Sequence, residues 1–71
     1  MTPTSEFVKE RRKKLGLTQV ELAHKSGLGL RFIRELEQGK TTLRMDKVNQ
    51  LLGLFGYELI PARQPRPNNL P

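Results

Sequence analysis

The sequence predicts an all-α domain of four to five short helices that ends in one short strand. Apolar residues recur at helical spacing through most of the chain. The clearest series has i, i+3, i+4, i+7 spacing and consists of Val48, Leu51, Leu52 and Phe55. Glycines follow the ends of these periodic segments, where a residue in the left-handed conformation commonly ends a helix. Residues 57–60 are rich in strand-forming residues, and Pro61 stops them.

Composition limits the classes of protein that need to be considered. The chain has 71 residues, enough for one small domain, and 13 Lys and Arg against 7 Asp and Glu give it a net charge of +6. Such an excess favours a polyanionic partner, although solubility is a plainer explanation. The chain has no Cys and a single His, so we expect no disulfide, metal or cofactor. It also lacks the ~20-residue apolar run of a membrane span. We therefore expect a cytoplasmic protein without a membrane partner.

The first helix is predicted at about residues 5–15, with Thr4 as its N-cap. Val8 and Leu15 are apolar and lie one heptad apart, but an arginine fills the turn between them, which is unusual for a plain amphipathic helix. Most charges of the run KERRKK are interpreted as a solvated helix face. Arg12 is the exception, since it lies where an apolar residue would be expected.

The middle of the chain, TQVELAHKSGLGLRFIRELEQG, reads as two short helices joined by a tight turn. Thr18 and Glu21 have the spacing of a capping box for a helix at about residues 18–25, and Gly27 ends that helix in the left-handed conformation. A second helix is predicted at about residues 30–38. Two helices joined by a short glycine-containing turn are typical of a helix-turn-helix motif, whose second helix enters the DNA major groove.

A fourth helix is predicted to start near Leu43 or Arg44, with Thr42 as its cap and Gly56 at its end. It carries the apolar series described first. We expect a domain over residues 1–60.

The predicted strand at residues 57–60 cannot satisfy its own backbone hydrogen-bonding groups. We therefore expect it to pair with the same segment of a second copy, as an antiparallel ribbon across a homodimer. The alternative is a short extended coil that lies on its own domain. The residues predicted at the dimer contact are Phe55, Tyr57, Glu58, Leu59 and Ile60, with Leu51 and Leu52 as further candidates shared with the core. Residues 61–71, rich in Pro and Asn, are predicted to form a flexible tail.

Several spaced residues resemble the Cro/XRE-type helix-turn-helix family of phage and bacterial repressors. They lie within residues 7–56 and are Arg12, Gly16-Leu17-Thr18-Gln19, Glu21-Leu22-Ala23, Gly27, Ile33, Glu37 and Gly39. The ending LLGLFGYELIP is similar to the HipB-type antitoxins, in which a C-terminal strand follows helix 4 and joins the dimer. The first resemblance implies a Cro/repressor-like domain that represses transcription as a homodimer on an inverted-repeat operator of double-stranded DNA.

The second resemblance implies an antitoxin that autoregulates its own operon and binds a HipA-like kinase toxin. Such a protein is expected in a bacterial cytoplasm, associated with the nucleoid. The alternative is a stand-alone phage-type or chromosomal repressor that has no toxin partner. A third hypothesis is that the basic charge binds RNA or a membrane surface. Few aromatic residues disfavour the stacking of single-stranded RNA, and the polar face of the fourth helix is not notably basic.

The resemblance also assigns roles to individual residues. The base-facing positions of the second motif helix would be Leu30, Arg31, Arg34 and Glu35. An arginine can donate two hydrogen bonds to one guanine, to its O6 and its N7. A glutamate can accept a hydrogen bond from N4 of cytosine, or it can hold an arginine in position. The alternative is a solvated Arg–Glu face. Phosphate contacts are implied for Gln19, Lys40, Thr41, Thr42 and Arg44.

Arg12 and Glu37 match a buried ion pair of the family that ties the first helix to the end of the third. The alternative is two surface charges, whose pairing contributes less than about 1 kcal/mol.

Gly29 departs from the pattern of the family, because the family often has Ser or Thr at this helix cap. No Ser/His/Asp set, Cys/His pair or glycine-rich phosphate loop is present, so no catalytic residue is predicted and the protein is not expected to be an enzyme.

Overall fold

The computed structural model describes residues 2–63, and within that range it contains four α-helices and no strand. The helices are α1 (Pro3–Lys14), α2 (Gln19–Ser26), α3 (Leu30–Glu37) and α4 (Met45–Leu54). Helix α3 packs against α1 and α2, and α4 packs against α2. The prediction of an all-α domain is confirmed. Most of the predicted tail, residues 61–71, lies outside the described residues.

Helix α1 begins at Pro3, earlier than predicted, because Thr2 and not Thr4 is its cap. Oγ1 of Thr2 accepts from the backbone N–H of Ser5 at 3.1 Å, and Oγ of Ser5 accepts from the backbone N–H of Thr2 at 3.0 Å. Proline suits the first helical position, since its φ is already helical and it has no N–H to satisfy. The prediction of Thr4 was wrong because it overlooked Pro3.

The start and the end of α2 confirm the prediction. Oγ1 of Thr18 accepts from the backbone N–H of Glu21 at 3.1 Å, and the backbone N–H of Thr18 donates to Oε1 of Glu21 at 2.9 Å. This hydrogen bond from the Thr18 backbone lowers the pKa of the Glu21 carboxyl. Gly27 ends the helix with a φ of +73°. Thr18 and Gly27 therefore fix where α2 begins and where it ends.

Helix α4 begins at Met45, and Thr42 does not cap it. The N-cap is Arg44, whose side chain makes no capping hydrogen bond. The prediction of Thr42 was wrong because Leu43 packs against the core in non-helical chain, so the helix starts only after it. Asp46 supplies the negative charge that the first turn of a helix favours.

One hydrophobic core is shared by all four helices. Its buried side chains are Val8, Leu22, Ala23, Leu28, Ile33, Leu36, Val48, Leu51 and Leu52. The predicted apolar stripe of α4 is therefore correct, with Phe55 half-buried at its end. Leu51 and Leu52, the two candidates shared with the dimer contact, both belong to this core: Leu51 is 0% and Leu52 is 4% exposed. Leu15, at the C-cap of α1, is 60% exposed and lies outside the core.

Residues 57–60 are not a strand in the described structure and lie on their own domain. The backbone N–H of Leu59 donates to Oδ1 of Asn49 at 2.8 Å, and the Leu59 side chain packs against the core. The ring of Tyr57 lies edge-on to that of Phe7, with 4.7 Å between their centroids. The extended-coil interpretation describes this segment within one chain, and pairing with a second copy stays a prediction. Within residues 2–63, no helix has the length and apolar character that crossing a membrane requires.

Candidate nucleic-acid interface

One face of α3 carries two arginines at the protein surface. Ile33 and Leu36 hold the opposite face in the core. The side chain of Arg31 is 92% exposed, and Arg34 is also exposed. Among the described residues, no hydrogen-bond or ion-pair partner is found for Arg34. Since residues three apart are neighbours on a helix, the two guanidinium groups can reach adjacent positions of a groove.

Leu30, at the start of α3, is less available than the two arginines. It is half-buried against the core. It also lines a shallow depression of about 230 Å³ beside α2, together with Val20, Ala23, His24 and Leu28. The N-cap residue before it is Gly29, which provides no side-chain capping hydrogen bond. A base contact by Leu30 would therefore involve only the part of its side chain that faces away from α2.

Glu35 lies on the exposed side of α3 and holds two cations. Its Oε1 accepts from Nε of Arg31 at 2.9 Å, and its Oε2 accepts from Nζ of Lys40. The hydrogen bond from Lys40, followed by that from Arg31, lowers the pKa of the Glu35 carboxyl. Glu35 is thus a carboxylate between a proposed base-reading residue and a proposed phosphate-binding residue.

The loop between α3 and α4 presents the other predicted phosphate ligands. Lys40, Thr41, Thr42 and Arg44 are all exposed. Arg44 pairs with Asp46 through two hydrogen bonds, of 3.1 Å from Nε and 2.6 Å from Nη2, and this pairing lowers the pKa of Asp46. A phosphate would have to compete with Asp46 for Arg44, whereas the two threonine hydroxyls lie next to Lys40 and have no such competitor within the described part of the chain.

Gln19 lies where the resemblance implies a phosphate contact, at the first residue of α2. Its Nε2 donates one hydrogen bond to Oε1 of Glu37 at 3.2 Å, which orients the amide. The second Nε2 proton remains for another acceptor. The first backbone N–H groups of α2 lie at the positive end of the helix dipole, and both features favour a bound anion.

Arg12 and Glu37 form an ion pair that connects α1 with the end of α3. Nε of Arg12 lies 2.7 Å from Oε2 of Glu37, and Nη2 lies 3.0 Å from Oε1. The third nitrogen, Nη1, donates to the backbone carbonyl of Leu17 at 2.9 Å. The two side chains are 13% and 2% exposed. Hydrogen bonding to Glu37 raises the pKa of Arg12, so the guanidinium stays charged. This network sets the orientation of α3 relative to α1.

Sequence reasoning missed a cluster formed by α1 and the C-terminal segment. Nη2 of Arg11 donates to the hydroxyl of Tyr57 at 2.7 Å, and the guanidinium lies 5.4 Å from the centroid of the Phe7 ring. Phe7 also meets Phe55 edge-on, with centroids 6.4 Å apart. Arg11 was interpreted as a solvated charge, and no local pattern could have indicated a partner so far along the chain. Two predicted dimer residues, Phe55 and Tyr57, therefore already pack within one chain.

The predicted dimer surface keeps an exposed apolar part. Ile60 is 70% exposed, and Glu58 is also exposed. They border an open groove of about 320 Å³ that is also lined by Phe7 and Leu52. A second apolar groove, of about 230 Å³, lies at the C-terminal end of α4 and is lined by Leu15, Leu54 and Phe55.

Residues 8–60 match the helix-turn-helix family. Over 48 residues, the chain is 51% identical to an uncharacterized HTH-type transcriptional regulator, y4mF, of Sinorhizobium fredii. The aligned region covers 68% of this chain and 63% of that protein, so the chain spans less than two thirds of the length of this relative. No solved structure matches the chain. The four helices, the exposed face of α3 and the match over most of the chain lead to one conclusion: the chain belongs to the helix-turn-helix family.

Proposed function

We propose that this protein is a sequence-specific DNA-binding transcriptional regulator that places α3 in the major groove. One observation carries the proposal. Arg31 and Arg34 lie exposed on α3 while Ile33 and Leu36 fix the helix to the core. The helix-turn-helix family of the chain and the description of its relative as a transcriptional regulator support this function.

The contacts to DNA would divide into two kinds. Arg31 and Arg34 would read base edges, since each guanidinium can make two hydrogen bonds to a guanine. Lys40, the threonines that follow it and the N-terminal end of α2 would contact phosphates, which fix the register of the protein without reading sequence. The net charge of +6 would contribute a sequence-independent attraction that weakens with salt.

The regulator would act as a homodimer through its C-terminal segment. Ile60 is exposed beside the groove that contains Phe7, so a second copy related by a two-fold axis could place its own Ile60 there. Such a dimer would present its two α3 helices about 34 Å apart, the repeat of one DNA turn. The operator would then be an inverted repeat, and occupation of a promoter would repress transcription.

Selection from a pool of randomised DNA duplexes tests the proposal. The wild-type protein should enrich an inverted-repeat sequence, and its affinity for that sequence should fall steeply with salt. Arg31→Met and Arg34→Met should each lower the affinity for the enriched sequence by about tenfold or more. Lys13→Met, which removes one positive charge from the exposed end of α1, is the matched control. Equal affinity of the wild type for enriched and random duplexes would refute the function.

A narrower hypothesis is that the regulator is an antitoxin. It rests on the similarity of residues 51–61 to the HipB type, whose partner is a HipA-like kinase toxin. Purification of the tagged protein together with the product of the adjacent gene should then yield a stable complex with a kinase. If the neighbouring product does not bind, a stand-alone repressor remains.

A further inference from the structure

Glu35 holds Arg31 by one nitrogen and leaves the rest of its guanidinium available. The carboxylate accepts from Nε of Arg31 at 2.9 Å. Arginine has five N–H donors in a planar fork, so the two terminal amino groups of Arg31 stay unused by this contact. These terminal groups are the ones that a bidentate contact to guanine needs. Arg34 has no such partner within the described residues. The two arginines on the exposed face of α3 are therefore not equivalent.

The backbone at the end of α3 brings Lys40 back to the same carboxylate. Gly39 has a φ of +89°, a conformation that residues with a side chain rarely adopt. With this turn, the backbone N–H of Gly39 donates to the carbonyl of Leu36 and that of Lys40 donates to the carbonyl of Glu35, both at 3.0 Å. This pair of bonds is a Schellman motif. Lys40 is thus held against Glu35 by its main chain and its side chain together.

Both carboxylate oxygens of Glu35 already have a cationic donor, and its side chain is only 22% exposed. A cytosine amino group would have to approach this crowded carboxylate from outside. The side chain of Arg31, in contrast, is 92% exposed. The geometry favours contact between DNA and Arg31 over contact between DNA and Glu35.

We infer that Glu35 is a positioning residue, which aims Arg31 at one base and couples that base contact to the phosphate contact of Lys40. The inference rests on the proposed function, because it requires that α3 enters the major groove. One carboxylate shared by two cations leaves the three side chains with a single net positive charge. Glu35 therefore raises specificity in two ways: it orders Arg31, and it reduces the attraction of the α3 face to phosphates of any sequence.

The test compares the DNA sequences that wild-type and Glu35→Gln proteins select from the same randomised duplex pool. The variant should lose the preference at one base pair per half-site, the one read by Arg31, and keep the preference at the base pair read by Arg34. Its ratio of affinities for enriched over random DNA should fall by about tenfold. Its affinity for random DNA should rise, and on random DNA the slope of log K against log salt should become more negative by about 0.9 for each additional phosphate that the released Arg31 contacts.

Two further variants separate positioning from charge and from folding. Glu10→Gln removes the same charge from the exposed surface of α1, and should change the affinities for enriched and random DNA equally. Glu35→Asp keeps the charge but shortens the side chain, so it should partly restore the preference that Glu35→Gln loses. Circular dichroism of each variant shows whether the helices are intact. If Glu35→Gln is less stable than the wild type, the sequence preference of Glu35→Asp still shows whether a carboxylate at position 35 orders Arg31.

The possible outcomes are distinct. A change in the preferred base pair of the Glu35→Gln protein from cytosine to adenine would show that position 35 itself contacts a base, and would overturn the inference. An unchanged set of selected sequences with an unchanged salt slope would overturn it too, while leaving the DNA-binding function in place. If the wild-type protein enriches no sequence, the proposed function fails, and this inference fails with it.

Discussion

Three hydrogen bonds from Arg12 and Gln19 reach the carboxylate of Glu37, whose side chain is 2% exposed. A buried ion pair of this kind contributes little net stability compared with well-packed apolar residues, but removal of one partner leaves an uncompensated buried charge. Arg12, at 13% exposure, is nearer to water than Glu37. The cost of breaking the pair should therefore depend on which partner is removed.

Arg12→Met should lower the free energy of unfolding by about 3–5 kcal/mol, because it leaves the carboxylate of Glu37 buried without its guanidinium. A domain of this length has a total of only about 4–11 kcal/mol, so the variant should be close to unfolding. Glu37→Gln should cost less, since the amide oxygen still accepts from Arg12. Urea denaturation of both single variants and the double variant measures the coupling between the two residues. Additive effects would contradict the paired role.

The pKa of the Glu21 carboxyl gives a prediction for the dependence of stability on pH. Its pKa in the folded chain lies below the ordinary value of 4.5, mainly because it accepts from the Thr18 backbone. A carboxyl whose pKa is lowered by folding stabilises the protein fully above its unfolded pKa, and this contribution is lost as the pH falls through the folded pKa. The denaturant concentration at the unfolding midpoint should thus decrease as the pH is lowered below about 4.5. In the Glu21→Gln protein this decrease should be less steep. Equal pH profiles for wild type and variant would refute the assignment.

At the scale of elements, hydrogen bonds between residues close in sequence set the helix boundaries. Thr18 and Glu21 are three residues apart, and their capping box was predicted because both partners occur in one short pattern. The cap of α1 was predicted at the wrong threonine because two threonines flank Pro3, and only Thr2 precedes it. Thr42 was assigned as a cap because the pattern does not show that Leu43 packs against the core.

Thr18→Ala should lower the free energy of unfolding by about 1 kcal/mol, because the N-terminal end of α2 loses its side-chain acceptor. For a domain of this size, the melting temperature should fall by about 4–8 °C. Thr42→Ala is the matched control. It makes the same change at an exposed threonine that caps no helix, and should shift stability by less than about 0.5 kcal/mol. Thermal unfolding followed by circular dichroism distinguishes the two. A larger loss at Thr42 would contradict the observed start of α4.

At the scale of the molecule, most of the core was predictable, whereas the side-chain contacts of the C-terminal segment were not. Val8, Ile33 and Leu51 fall at helical spacing, so their burial follows from periodicity. The contact between Arg11 and Tyr57 joins residues on different elements, and nothing in the local pattern around either one indicates the other. The residues predicted to contact DNA came from the family resemblance, and the pairing that some of them already make, such as that of Glu35 with Lys40, could be seen only in the structure.

Ile60→Glu should convert the proposed dimer to a monomer without loss of monomer stability, because Ile60 is 70% exposed and contributes little to the core. Sedimentation velocity measures the oligomeric state, and affinity for a single half-site should be retained while affinity for the inverted repeat falls. Leu15→Glu is the control, since it places the same charge at a leucine that is 60% exposed at the end of α1. Should Leu15→Glu dissociate the dimer and Ile60→Glu leave it intact, the contact lies instead at the groove of Leu15 and Leu54.

The pairing of Glu37 with Arg12 bears on whether the two helices of the helix-turn-helix motif can fold apart from the rest of the chain. Arg12 lies outside the two motif helices, on α1. A synthetic peptide of residues 18–39 would carry Glu37 without its guanidinium, and would also lose the contacts of α3 with α1. Such a fragment should remain unfolded in water. Transfer of the two motif helices into another scaffold should therefore need a host that already supplies an arginine at the position of Arg12.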